Sequence, residues 1–320
     1  MTALEDRETV VVECCDQCGC RQSDVALEAS PWTLRSCSEC GFVFTSPRLS
    51  DAALAGIYSD EYYENADSYA AQQILPPNRD HQELATKVRR LLKRKPAKRL
   101  ASMDVGCGGG RLVAAFADAG FAAAGIEPST SLVRAARAAG RDLRAADVSE
   151  LPDESWDCVT AIHVLEHVTS PKEFMQQMHR ICRPGGCCVI EVPNFESKAS
   201  REQGADWYAL HPSTHLSHFT PGTLAACIRN AGFEVRSIHR LGGGGVFNRV
   251  SEATARKQPA AKPSSPRRQG MLAAVWKQRS LLLSVPTVRR IGRWVNWEVL
   301  GHGEFVRIFA SKENSIARAC

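Results

Sequence analysis

Four cysteines near the N-terminus have the spacing of a metal site. Cys15 and Cys18 are followed by Cys37 and Cys40, a C-x2-C-x18-C-x2-C pattern. Two residues between thiolates let one tight turn aim both sulfurs at one ion, and two such turns complete a tetrahedral zinc site. Gly19 and Gly41 follow the second Cys of each pair, where a tight turn commonly needs positive φ. Four thiolates leave no open position, so the zinc is expected to be structural. The chain holds thirteen cysteines, and its first residues, MTALEDRETVVVE, lack an apolar signal core. That odd count argues for reduced thiols and metal ligands over a disulfide scaffold, and the missing signal points to a cytoplasmic protein.

A second constellation carries cofactor chemistry. Leu100 to Val105 reads as a strand, Arg111 to Ala119 as a helix, and Asp104-x-Gly106-x-Gly108-x-Gly110 joins them. Glycines there allow a tight turn and let a ligand lie against the backbone. Phe121 to Ile126 follows as a second strand closing on Glu127, an acid placed to bind both hydroxyls of a ribose. A dinucleotide turn would use the same acid, but it needs G-x-G-x-x-G, and the third glycine here falls one residue early.

These residues need a scaffold, and the chain supplies one. At 320 residues it is long enough for about two domains and a sizeable core. Apolar residues make up 44% and charged residues 23%, which excludes a wholly disordered chain. The longest uncharged apolar run, Ser280 to Val288, falls far short of the roughly 20 residues of a membrane span. From Arg99 to Arg240 strand-like and helix-like runs alternate, predicting a parallel sheet with helices on both faces. Residues 49–98 read as helical with a break at Pro76-Pro77, and 252–270 as a Pro/Ser/Lys-rich linker. The net charge of +5 hides an acidic body. Residues 87–99 hold eight Lys/Arg and no acid, and 252–300 hold ten against Glu252 and Glu298. Such strips can meet phosphate or anionic lipid, or serve as solvated helix and linker faces.

In this order the motifs resemble the class I S-adenosylmethionine-dependent methyltransferases. Asp104-Val-Gly-Cys-Gly-Gly-Gly is similar to the family's first motif and Gly125-Ile-Glu127 to its second-strand acid. Ala145-Ala-Asp147-Val148 resembles the segment whose Asp meets the adenine amino group. Ser155 to Val168 resembles the fourth strand and its turn, and Arg183 to Asn194 the turn into the fifth. The resemblance implies a Rossmann-like α/β fold with a seven-stranded sheet, closed by an antiparallel last strand over Phe305 to Ala310. It implies a cofactor site for S-adenosylmethionine lined by Asp104, Gly106, Cys107, Gly108, Glu127, Asp147, Val148 and His163. With two CxxCG pairs ahead of Phe42 to Tyr63, the whole resembles bacterial methyltransferases with an N-terminal zinc ribbon. Many of these act on sugars, surface-polysaccharide units or specialised metabolites. The expected organisation is a ribbon over 1–48, a helical lid over 49–98 and a core over 99–245. A linker with an amphipathic helical insertion follows over 246–302, and 303–313 supplies the final strand.

Methyl transfer to a hydroxyl needs alignment and removal of a proton, a task suited to His near neutral pH. The candidates are His163 at the end of the fourth strand, and His215 and His218 in HPSTHLSHFTP after the fifth. Glu166 and His167 read as a helix-start pair fixing the loop. The segment also resembles ubiquinone-pathway O-methyltransferases, in which acids and a His hold a divalent ion, but His163 stands where an acid is expected. Tyr58, Tyr62, Tyr63 and Tyr69 would pack the lid or reach the cofactor or acceptor. The leading expectation is transfer to a small-molecule or glycan acceptor, most simply at a hydroxyl oxygen. The alternative is an RNA methyltransferase that grips nucleic acid with its ribbon and basic strips. Residues 271–300 mix Trp276, Trp294 and Trp297 with basic side chains, suited to a helical cap or to peripheral contact with an anionic membrane.

Overall fold

The computed structural model describes residues 8–57, 74–92, 99–242 and 303–313. Tyr58, Tyr62, Tyr63 and Tyr69, the segment 246–302 and part of the first basic strip lie outside the described residues. The N-terminal part holds β1 (Thr9–Val10), β2 (Ser23–Ala29), β3 (Trp32–Cys37), β4 (Val43–Thr45) and β5 (Arg48–Leu49), then helices α1 (Asp51–Ile57) and α2 (Arg79–Leu91). Next come β6 (Ala101–Val105), α3 (Arg111–Asp118), β7 (Ala122–Ile126), α4 (Thr130–Ala138), β8 (Leu143–Arg144) and β9 (Trp156–Ile162). The chain continues through α5 (Pro171–Ile181), β10 (Cys182–Pro193), α6 (Lys198–Gln203), β11 (Ser217–His218), α7 (Pro221–Asn230) and β12 (Glu234–Leu241), and returns as β13 (Phe305–Ser311).

The main sheet has seven strands in the order β12-β13-β10-β9-β6-β7-β8. Strands β6 to β10 run parallel, and β13 is antiparallel to both of its neighbours. This is the expected Rossmann-like sheet with its antiparallel final strand. The chain starts in the middle at β6, winds outward to β8, then crosses to β9 on the other side. Connections therefore diverge above β6 and β9 and leave a crevice at their C-terminal ends, where open α/β sheets bind ligands.

Both faces of the sheet are covered. On one, Val159, Cys188, Ile190 and Val192 pack with Met175, Met178 and Ile181 of α5 and Leu224 and Ile228 of α7. On the other, Cys158, Val189 and Phe309 pack with Leu84 and Val88 of α2 and Leu112 and Phe116 of α3. Local signals start the helices on time. Ser170 and Thr220 accept hydrogen bonds from backbone N–H groups of α5 and α7, and each is followed by Pro. Ser170-Pro171 also explains a difference from expectation. Glu166 and His167 do not open a helix but lie in the turn before α5.

The N-terminal segment is not self-contained. Its four-stranded sheet runs β11-β4-β3-β2, so its edge strand comes from residues 217–218. Cys15, Cys37, Phe42 and Phe44 belong to the same buried cluster as β9 and β10, and the rings of Phe42 and Phe219 lie 5.4 Å apart. Phe219 is 1% exposed. Phe219→Ala should therefore cost about 3–5 kcal/mol of folding stability, measured by denaturant unfolding. A loss below about 1 kcal/mol would show that this junction is not packed as described.

Candidate functional site

Asp104 is buried in β6, and its carboxylate accepts a 2.5 Å hydrogen bond from the Thr160 hydroxyl on β9. Burial pushes its carboxyl up to about 7, against the lowering effect of that bond. Gly106 begins the turn with φ +68°, and a Cβ there would lie 2.5 Å from Val164 Cγ2. A side chain is excluded by backbone conformation and by space alike. The same contact brings the turn after β9, with His163, directly over the turn after β6. The N–H groups of Gly106 and Cys107 both donate to the Ile126 carbonyl, pinning the turn to β7.

Glu127 follows β7 and is buried. Its carboxylate accepts from the Gly108 N–H at 2.9 Å and the Ser129 N–H at 3.3 Å. Burial raises its pKa, and these two N–H groups work against the rise. The carboxylate is thus oriented by the turn that would face a ligand. Asp147 is exposed and caps the short helical turn Val148–Glu150, accepting from the Ser149 N–H at 2.9 Å. Hydrogen bonding at Ser149 holds its carboxyl below the usual range. Val148 is buried beside it.

His163 directly follows β9 and sits in the left-handed region, with φ +57°. Such strain in a non-glycine residue persists where the surroundings dictate it, commonly at functional sites. Here two carboxylates do so. His163 Nδ1 lies 3.2 Å from Glu166 Oε1, and Nε2 lies 3.4 Å from Glu191 Oε1. The Glu191 side chain has no exposed surface, and its other oxygen accepts from Nε and Nη2 of Arg307 on β13. Burial alone would lower the His163 pKa, but Glu166 and Glu191 outweigh it and carry it to about 9. Glu191 is correspondingly held down at about 2, burial being overcome by Arg307 and His163. His163 is therefore a cation at neutral pH with both nitrogens engaged. With both N–H groups committed to Glu166 and Glu191, the ring ties the β9 turn to β10.

His215 and His218 part company. His218 is a residue of β11, 4% exposed, with Nε2 3.1 Å from the Thr45 hydroxyl; burial pushes its pKa down to about 3. It is built into the wall rather than offered to an acceptor. His215 Nδ1 donates to the Ala209 carbonyl at 3.0 Å, which makes Nε2 its acceptor nitrogen. Burial and the neighbouring histidines keep it neutral. The His167 and His215 rings meet edge to face at 4.6 Å. Glu166, His167 and His215 each place a ligand atom within 4.8 Å of the others, and Glu166 Oε2 is buried without a hydrogen-bond partner. This trio could hold a cation. So could Cys15, Cys18, Cys37 and Cys40, whose sulfurs also lie within 4.8 Å of one another.

Sequence reasoning assigned no role to Thr160, Glu191, Arg307 or Thr45. A signal existed for two of them. Glu191 and Arg307 are lone charges in apolar strands, and a buried charge requires a partner.

A parallel sheet that diverges above β6 and β9, a glycine turn and a buried acid after β7 define a nucleotide-cofactor-binding α/β domain. Residues 78–238 match the family model described as "Methyltransferase domain". The chain belongs to that family, and the domain is that of a class I S-adenosylmethionine-dependent methyltransferase. It is 32% identical over 151 residues to the ubiquinone biosynthesis O-methyltransferase of Pseudomonas syringae pv. tomato, covering 42% of this chain and 65% of that protein. The Bordetella avium enzyme of the same name is 35% identical over 147 residues, 41% of this chain and 61% of its own length. The chain thus spans less than two thirds of these relatives. Among solved structures it resembles a Thermotoga maritima methyltransferase titled a possible histamine N-methyltransferase, with TM-score 0.47, 18% identity and coverage of 81% and 100%. A Burkholderia thailandensis 1,6-didemethyltoxoflavin-N1-methyltransferase gives TM-score 0.48 at 15% identity, covering 92% and 100%.

His163 should titrate near 9 in a histidine NMR experiment. Its folded pKa lies above the ordinary 6.5, so its stabilising effect is complete below that value and is lost as pH rises through about 9. Stability should fall by on the order of 2–3 kcal/mol between pH 7 and 10, and Glu191→Gln should flatten that slope. A wild-type His163 titrating near 6.5 would contradict the network.

Proposed function

We propose that this protein transfers a methyl group from S-adenosylmethionine to a small-molecule or glycan acceptor, at a hydroxyl oxygen. The observation that carries the reading is Glu127, buried and oriented by the N–H groups of Gly108 and Ser129 beside a side-chain-free turn at Gly106. The cofactor supplies an electrophilic methyl on a sulfonium. Glu127 offers its carboxylate to the ribose hydroxyls. Asp104, Gly106, Cys107 and Gly108 line the methionine and ribose side, and Asp147 and Val148 serve the adenine. His163, on the turn above, faces the methyl side, held there by its pairing with Glu166 and Glu191. The acceptor proton passes to a neutral histidine, and His215 has the suitable tautomer. The ubiquinone biosynthesis relatives support an oxygen acceptor on a small molecule.

A second reading of the acceptor pocket rests on the unpartnered Glu166 oxygen. A divalent ion held by Glu166, His167 and His215 fits these donors, as the ubiquinone-pathway resemblance implies, with His215 standing in for the acid absent at position 163. Such an ion supplies Lewis acidity toward the hydroxyl. The four N-terminal cysteines would hold a structural zinc. Expected lengths of ribbon, lid and core follow the organisation given above.

The first test is calorimetric titration with S-adenosylmethionine, followed by transfer of labelled methyl into fractionated extract. Glu127→Ala should weaken cofactor binding by roughly 10–100-fold, the equivalent of lost charge-assisted hydrogen bonds. Unchanged affinity would overturn the site, and label lost on RNase treatment would overturn the acceptor class. Metal analysis should find zinc that Cys37→Ser releases; zinc content unaffected by that change would remove the ribbon assignment. A second equivalent that survives in Cys37→Ser would support the ion at Glu166.

A further inference from the structure

The geometry points to the metal-binding ribbon as the element that sets the acceptor half of the site, with Thr45 as the positioning residue through which it acts. The inference rests on the assignment of acceptor and cofactor halves just given.

Thr45 has no exposed surface and ends β4. Its N–H donates to the Leu216 carbonyl at 3.0 Å. Its hydroxyl donates to the His215 carbonyl at 3.2 Å and lies 3.1 Å from His218 Nε2. A hydroxyl carries one proton. With that proton on His215, the ring of His218 must donate to Thr45 Oγ1, so this one side chain fixes a loop carbonyl and a histidine tautomer together. The loop is also paired in register as a strand of the ribbon, Ser217 opposite Phe44 and His218 opposite Val43.

A second anchor lies in the first cysteine turn. Asp16, next to Cys15, accepts from the Ser170 hydroxyl and from the Lys172 N–H, both at 2.8 Å. It therefore grips the start of α5, at the far end of the turn that carries His163, Glu166 and His167. The ribbon holds both segments that build the acceptor pocket. The described partners of the cofactor half lie elsewhere. Asp104 is held by Thr160, Glu127 by Gly108 and Ser129, and Asp147 by Ser149.

The cysteine turns would be held by the zinc proposed for them. Cys15–Cys40 and Cys18–Cys37 sulfurs approach to 3.5 Å, and an ion bound by four thiolates contributes folding free energy directly. Loss of the ion should loosen the turns, then β4, then residues 215–219, while leaving the cofactor half in place.

The test uses the full chain under reducing conditions, as purified and after chelator treatment, followed by hydrogen exchange and by calorimetry with S-adenosylhomocysteine. Metal removal should speed exchange at 215–219 and 170–174 about tenfold or more and change β6 and β7 by less than about twofold. Affinity for S-adenosylhomocysteine should stay within about threefold. Thr45→Val keeps the shape and all four cysteines. It should speed exchange at 215–219 with metal content unchanged and shift the ring-nitrogen resonances of His218, and Thr45→Ser should restore both. Protection at 215–219 that survives both metal removal and Thr45→Val overturns the proposal. So does a loss of protection spread equally over β6 and β7. If the stripped protein unfolds, the Thr45 pair decides. Failure of the wild-type chain to bind S-adenosylhomocysteine would instead sink the cofactor reading, and exchange would still report on the coupling.

Discussion

Glu191 is a carboxylate with no exposed surface near the C-terminal end of β10, set among apolar residues. Taking an ion out of water costs several kcal/mol unless opposite charge and hydrogen bonds replace the solvent. Arg307 on one side and His163 on the other make that replacement. The consequence reaches beyond one ion pair. The arginine belongs to the last strand, so β13 must return to the sheet between β10 and β12. The histidine must turn back over the sheet in a left-handed conformation, which places the β9 turn over Gly106. One buried charge thereby links sheet closure, the strained turn and the charge state of the residue nearest the proposed reaction.

The two halves of the crevice are supported by different means. On the proposed cofactor side, the backbone does most of the work. The Gly106 turn is pinned by the Ile126 carbonyl, and Glu127 is oriented by N–H groups of that turn and of α4's cap. Backbone donors cost little ordering once the strand and helix have formed, so this half is preorganised. On the proposed acceptor side, side chains from distant segments meet. Ribbon, β9 turn and post-β10 loop each contribute, and the histidines divide into a cation, a wall residue and a neutral ring. That division follows from who faces each nitrogen, not from the residue type.

Much of this was legible in the sequence where the determinants are local. The glycine turn, the acid after the second strand and the paired cysteines are set by spacing within a few residues. Alternating runs announced the parallel sheet, and the motif resemblance anticipated β13. What stayed hidden involves partners far apart in the chain. Glu191 and Arg307 are separated by 116 positions, and Thr45 and His218 by 173. β11 is two polar residues long and carries no periodic signal, so its recruitment into the ribbon sheet could not be read from pattern. Sequence shows a histidine at a strand end but not the carboxylates around it, so the pairing of His163 could not be read from it. Glu166 and His167 looked like a helix start because charge near a helix is common, while Ser170-Pro171 set the boundary four residues later.

The crevice above β6, β7 and β9 is the proposed binding place of S-adenosylmethionine. A crystal structure of the full chain with S-adenosylhomocysteine would test it most directly. Both ribose hydroxyls should lie on Glu127, the amino acid portion against Gly106 and the sulfur toward the His163 side of the crevice. Density for the ligand elsewhere, or a ribose turned away from Glu127, would contradict it.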